Sequence, residues 1–401
     1  MDNKPYTIRD LFFKHVALTS PSPLGLEIHR AEGVFLFTPQ GQKIIDLVSG
    51  VCVSNTGHGN KAILDAVKDQ IDKHMHLMVY GEVIQAPQSE HAALLTSLLD
   101  PSLDSVYYVN SGSEANEAAL KLAKRVTGRS EMISFYNSYH GSTHGALSMM
   151  GNEEFKNSFR PLLPGVRHIC FNSFEQLGLI TEKTACVIAE PVMAEGGVFA
   201  PTGGYLSALR ERCYQTGTLL ILDEIQTAFG RTGQMFAHQK YGIVPDILTL
   251  AKALGGGMPL GALVASSKLM ENWKSDPVLG HITTFGGHPV SCAAALASLK
   301  LLLNENWLGE VYEKSAIFAN TLRAHPLVKE IRAEGLLIAV DLKNEDYAQQ
   351  ILPLLLEEGV LSDWFLFYPG AFRIAPPLPI TVNEVKMASE AILRALDRIK
   401  L

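Results

Sequence analysis

The stretch DILTLAKALGGGMPLGALVAS, residues 246–266, holds one residue that looks out of place. Lys252 follows an apolar, β-prone run and precedes three consecutive glycines, Gly255 to Gly257. Such a run usually ends inside a core, where an ammonium group is costly unless something uses it. A surface lysine in a loop is the ordinary explanation, so the rest of the chain has to decide.

From about Asn60 to Trp273, helical and strand patterns alternate. Helical spacing in NKAILDAVKDQIDKHM and SEHAALLTSLL leads to SVYYVN, which reads as a short buried strand. A helix is expected from Ser113 to about Val126, then strands at EMISFY, ACVIAEPV, LLILDE and ILTLA, with a helix at GYLSALRERCYQTG. This alternation implies an α/β fold: a mostly parallel central sheet with helices on both faces. In such sheets ligands bind at the carboxyl ends of the strands, which is where Lys252 falls. The two ends differ. Residues 25–48 alternate and turn at Gly33, as antiparallel strands do. Beyond Pro289 come a long helix, a strand at LLIAVDL, a helix at YAQQILPLLLEEG and a strand at FRIAPPL. A final helix opens with Thr381 and Glu384 in capping-box spacing. The expected layout is a large domain over 60–288 and a smaller α+β domain from segments 1–59 and 289–401.

Composition narrows the function classes. The 401 residues are 47% hydrophobic and 19% charged, and the net charge of −7 is spread along the chain. That argues against nucleic acid or an anionic membrane as the main partner. Five scattered cysteines without a CxxC pair read as reduced packing residues. The start, MDNKPYTIRDLFF, lacks a secretory pattern, and the stretch VSCAAALASLKLLL is interrupted by Lys300 and too short to span a bilayer. A cytoplasmic protein is expected.

Three further stretches fall at strand ends. NSGSEANEAALKLAKR, residues 110–125, puts small residues before a helix whose first N–H groups point outward at a positive dipole end. Ser111 and Ser113 add hydroxyl donors. An ordinary serine N-cap explains the same pattern. FYNSYHGST, residues 135–143, offers Tyr139 and His140 to stack on a planar ligand. His140 and His144 also stand four apart, but no third metal ligand accompanies them. His74 and His76 read as a surface helix turn. In LLILDEIQTAFGRTG, residues 219–233, Asp223 directly follows four apolar residues and needs a cation or donor. Glu224 reads as a surface carboxylate capping the next loop. A phosphate cradle, a stacking aromatic, an acid for a ring nitrogen and an amine for an aldehyde are together what pyridoxal phosphate requires.

These stretches, with LAKALGGGMPLGA and TTFGGHP, resemble in order and spacing the class III aminotransferases, a fold-type I pyridoxal-phosphate family that includes ornithine, acetylornithine and 4-aminobutyrate aminotransferases. The resemblance runs over nearly the whole chain. It implies that Lys252 forms the Schiff base and moves the proton, and that Asp223 keeps the cofactor's pyridine nitrogen protonated. It places Gln226 near the phenolic oxygen, Ser111, Gly112 and Ser113 at the phosphate, and Tyr139, His140 and Glu190 around the ring. Thr284 would reach the phosphate of a neighbouring subunit, which implies a homodimer with shared sites. Arg373 would hold a substrate carboxylate. Glu195 would pair with that arginine when an ω-amine donor is bound.

Two positions depart from the pattern. Ser142 stands where many ornithine and 4-aminobutyrate members carry an arginine for a distal carboxylate. Met193 replaces a frequent glutamine and is expected to make that wall less polar. The expected reaction is transfer of an amino group from an ω-amino donor of the ornithine, N-acetylornithine or 4-aminobutyrate type to a 2-oxo acid, with 2-oxoglutarate as the expected acceptor. A mutase, racemase or decarboxylase using the same cofactor, or a non-catalytic protein keeping the fold, are the alternatives.

Overall fold

The computed structural model describes residues 6–400. A seven-stranded sheet runs in the order Ser105–Val109, Gly261–Ala265, Ile247–Leu250, Leu219–Asp223, Thr184–Ala189, Glu131–Phe135, Val166–Ile169. The last five strands are parallel. Gly261–Ala265 runs antiparallel to both its neighbours. The three strands Thr184–Ala189, Ile247–Leu250 and Gly261–Ala265 are buried along their whole length. Helices on both faces leave no polar side, so these strands read as unbroken apolar runs.

Two strands do not stand out in the sequence. Gly261–Ala265 is five residues, three of them glycine or alanine, directly after a glycine- and proline-rich turn. Val166–Ile169 is four residues long and carries Arg167 and His168 at the sheet's edge. SVYYV is only half-buried, because Ser105–Val109 forms the opposite edge.

The helix Gly112–Thr127 buries Ala115, Ala118, Ala119, Leu122 and Ala123 against the sheet. Four alanines on that face let the helix axis come close. Ser111 Oγ caps it by accepting from the Glu114 N–H at 3.2 Å, and Gly128, at φ 65°, ends it in the left-handed conformation that suits glycine.

The two ends of the chain share a sheet. Arg30–Glu32, Phe35–Phe37 and Lys43–Asp46 pair antiparallel, and Val360–Leu361 joins Lys43–Asp46 in parallel. A second antiparallel sheet contains Val328–Glu334, Leu337–Leu342, Tyr368–Ile374 and Trp364–Phe365. The helix Val382–Asp397 opens with the capping box expected from Thr381 and Glu384. The helix Pro289–Asn304 packs on Lys61–Lys73, on Ala86–Thr96 and on the turn that begins at Lys252. Among the described residues no helix is long and apolar enough to cross a membrane.

Candidate active site

Four neighbouring parallel strands deliver their carboxyl ends to one cavity of about 680 Å³. Asp223 is the last residue of its strand, and Glu190 follows Thr184–Ala189 directly. Tyr139 and His140 come from the loop after Glu131–Phe135, and Lys252 lies two residues beyond Ile247–Leu250. The N-terminus of Gly112–Thr127 closes one side, with Ser111, Gly112 and Ser113 on the wall.

Lys252 is partly buried and adopts φ 51°, the left-handed region that an L-residue enters at a cost of about 1–2 kcal/mol. Non-glycine residues hold such conformations where the surroundings over-determine them, and they cluster at functional sites. Burial lowers the Lys252 pKa below the usual lysine value. Arg373 adds to the lowering, while Cys52, Glu195 and Asp223 oppose it.

Asp223 is fixed from three sides. Oδ2 accepts from Asn116 Nδ2 and lies against His140 Nδ1, both at 2.8 Å, and Oδ1 accepts from the Ile225 N–H at 3.1 Å. The His140 ring has no exposed face, so the expectation that it stacks on a ligand is corrected: its ring braces Asp223. His140 and His144 also face apart, since His144 Nε2 lies 3.1 Å from the Pro161 carbonyl. Tyr139 remains half-buried on the cavity wall, with its hydroxyl 3.2 Å from Ser142 Oγ. Glu190 Oε1 accepts from the Tyr139 N–H and Oε2 from the Ala194 N–H, both at 3.0 Å. It thereby ties two loops together, and burial pushes its carboxyl up to about 7.

Arg373 and Glu195 are brought together in the core. Arg373 Nη2 donates to Glu195 Oε1 at 2.9 Å and to Oε2 at 3.0 Å. Gln226 bridges the pair, donating through Nε2 to Glu195 and accepting through Oε1 from Arg373 Nη1 at 3.1 Å. Arg373 holds Glu195 in its charged form against the cost of burial.

Three expectations change. Glu224 is not a surface carboxylate: it is fully buried, accepting from the Ala237 and His238 N–H groups and lying 2.7 Å from His238 Nδ1. Met193 does not form a cavity wall. Its side chain is in the main core, and its backbone pairs with Phe199. His74 follows the helix Lys61–Lys73 as an extended cap residue, and the His76 ring stacks on His288 with centroids 5.3 Å apart. Thr284 is exposed and does not line this chain's cavity.

Other residues escaped the sequence reading. Asn116 donates to Asp223 and to the His140 carbonyl, and accepts from Thr249 Oγ1. A polar residue on the alanine face of its helix was the available signal. Ser49, Gly50, Val51 and Cys52 form a left-handed turn, with φ 48°, 63°, 59° and 64°. Asp46 Oδ1 holds it by accepting from the Val48 and Ser49 N–H groups, and it delivers Val53 to the cavity. No sequence motif marks such a turn in three non-glycine residues.

The chain belongs to the class III aminotransferases: the family model for Aminotransferase class-III matches residues 17–396. Among solved structures it is similar to the ornithine aminotransferase of Toxoplasma gondii, in which pyridoxal phosphate partly occupies the active site. Identity is 29% over 97% of this chain and 94% of that one, with a TM-score of 0.89. An (S)-enantioselective omega-transaminase from Thermomicrobium roseum is 28% identical, covering 98% and 99%, with a TM-score of 0.89. A pyridoxal-phosphate-bound amine transaminase from an uncultivated Pseudomonas species is 28% identical, covering 96% and 98%, with a TM-score of 0.87. As a member of this family the chain is a pyridoxal-phosphate-dependent aminotransferase.

The residues present fit that cofactor. A helix N-terminus with hydroxyls on either side suits a phosphate, and the backbone there is packed too closely for side chains. A Cβ on Gly112 would stand 2.6 Å from Ile225 Cδ1, and one on Gly141, at φ 127°, would stand 2.6 Å from Ser113 Cβ. Gly141→Ala is therefore expected to displace Ser113 and weaken pyridoxal-phosphate affinity by about tenfold, roughly 1.4 kcal/mol. Equilibrium dialysis with the cofactor measures this. An unchanged Kd would show that the Ser113 side contributes nothing.

Proposed function

We propose that the cavity is the active site of a homodimeric transaminase that takes an amino group from an ω-amino donor of the ornithine, N-acetylornithine or 4-aminobutyrate type and gives it to a 2-oxo acid, 2-oxoglutarate. The observation that carries the ω-amine part is the Glu195–Arg373 pair with Gln226 across it. A donor presenting only an amine and carbon chain meets an arginine already neutralised. An acceptor with a carboxylate next to its carbonyl can take the place of Glu195 and bind the guanidinium in its fork.

The cofactor would be held by Ser111, Gly112 and Ser113 at its phosphate, by the Tyr139 ring, by Asp223 at its ring nitrogen and by Lys252 at its aldehyde. Bound there, pyridoxal 5′-phosphate supplies a conjugated ring that takes up the electron pair of the donor's broken C–H bond. Lys252 Nζ would take the proton from the donor's carbon and hold it for return. A lowered pKa leaves more of this amine neutral and able to accept a proton. Asp223, fixed by Asn116 and His140, keeps a proton on the ring nitrogen. Gln226 can hydrogen-bond the phenolic oxygen on the side where it meets Glu195.

Several apolar side chains support the homodimer. Met75, Leu77, Met78 and Ile84 are exposed, as are Val278, Ile282 and Phe285 beside Thr284. These two segments meet where the His76 and Phe285 rings lie 4.9 Å apart. Exposed apolar surface of this extent is expected to be covered by another chain, and Thr284 stands within it.

The test is a half-reaction spectrum of cofactor-loaded protein. Ornithine, N-acetylornithine, 4-aminobutyrate, lysine, β-alanine and glutamate are added one at a time. Loss of the lysine-bound cofactor's absorbance with one ω-amine and with glutamate is the expected result. Loss with glutamate alone would remove the ω-amine assignment.

A further inference from the structure

Arg373 carries a second carboxylate. Nε, which makes no contact with Glu195, lies 2.9 Å from Asp363 Oδ1. The angle is not that of a hydrogen bond, so the contact is chiefly Coulombic. The two residues are also joined through the backbone. The Arg373 N–H donates to the Asp363 carbonyl at 2.9 Å, and Ser362 Oγ donates to the Arg373 carbonyl at 2.7 Å. Beneath the guanidinium lies the Phe365 ring, 4.6 Å from its centre. The Arg373 side chain is 1% exposed and that of Asp363 is 31% exposed, so the second acid reaches towards solvent while the arginine does not.

We propose that Asp363 is a specificity-determining residue that weakens binding of carboxylate-bearing substrates at Arg373 and so favours the amine donor. This rests on the reading of Arg373 as the carboxylate-binding group. Glu195, Arg373 and Asp363 together carry one positive and two negative charges. When a 2-oxo acid displaces Glu195, its carboxylate meets an arginine whose charge Asp363 already balances. Asp363 stays in place on the Nε edge, held by its backbone bonds. It therefore opposes the incoming carboxylate and keeps the guanidinium from following Glu195. An ω-amine brings no negative charge to this spot and is not opposed.

The test compares Asp363→Asn with wild type at pH 8, above the value of about 6 to which burial raises the Asp363 carboxyl. Asparagine keeps the shape and one oxygen beside Nε but removes the charge. Expected is a 2-oxo acid KM lower by about three- to tenfold with kcat little changed, the amine half-reaction being unaffected. This range reflects a charge several Å away at a partly solvated site. Glutarate, which cannot react, should bind more tightly by the same factor in calorimetry. A purely structural role would lower Tm and slow both half-reactions without changing glutarate affinity, and that result would overturn the proposal. Arg373→Gln is the parallel variant. If it weakens glutarate binding while Asp363→Asn leaves it unchanged, the inference about Asp363 fails alone. If Arg373→Gln leaves glutarate binding unchanged, the reading of Arg373 fails and the inference falls with it.

Discussion

Replacing Lys252 by alanine is expected to lower turnover by about ten-thousandfold, the upper end of what a positioned proton-transfer group contributes. In the proposed mechanism the same change also removes the amine that would bond to the cofactor, so exogenous base should restore only part of the loss. The fold should survive: Lys252 donates none of the hydrogen bonds that join the sheet, and its ammonium costs desolvation. The pH dependence follows from the direction of the shift. Burial depresses the lysine pKa, so the neutral amine accumulates at a lower pH than for a free lysine. Between that depressed value and about 10.4 the unfolded chain binds more protons than the folded one, so this group makes stability rise with pH in that window. Capture of pyridoxal phosphate by the apo-protein, trapped with borohydride at a series of pH values, should level off below 10.5. A plateau reached only above 10.5 would contradict the depressed pKa, and a Lys252→Ala protein that still turned over would remove the lysine from the mechanism.

The central sheet was largely legible because fully buried parallel strands leave long apolar runs, and Leu219–Asp223 and Ile247–Leu250 are such runs. Gly261–Ala265 was hidden by the same glycines that let the chain turn back antiparallel. The charged groups at strand ends were legible for a related reason. Asp223 and Lys252 each interrupt an apolar pattern that would otherwise continue. What could not be read is how the polar groups pair. His140 follows Tyr139 in sequence, yet its ring is turned inward to Asp223, 83 residues away. Glu224 differs from Asp223 by one position and therefore points to the other face of the strand end, into the core at His238. Asp363 has no motif at all. Its place beside Arg373 comes from the pairing of Trp364–Phe365 with Tyr368–Ile374, a long-range register that no local pattern encodes.

Asp223 should be the second most sensitive position. Its carboxylate is 4% exposed and accepts from the Asn116 amide and the Ile225 N–H, with His140 Nδ1 as a third partner, so its orientation is fixed before any ligand binds. A fixed anion of this kind is most effective where water is excluded, and deleting one such preorganised group typically costs about 10²–10³-fold in rate. Asp223→Ala is expected to reach that range and also to lose stability, since two buried donors are left unpaired at about 1–3 kcal/mol each. Asp223→Asn separates the two effects. It preserves the volume but places an amide where Oδ2 now meets both Asn116 and His140, unless the group turns over. Asp223→Glu keeps the charge at the cost of one extra methylene. If the charge is what matters, the glutamate variant should recover more turnover than the asparagine variant, although it fits less well. If asparagine recovers more, Asp223 acts by holding Asn116 and His140 in place, and the proton on the cofactor's ring nitrogen must be kept by another group.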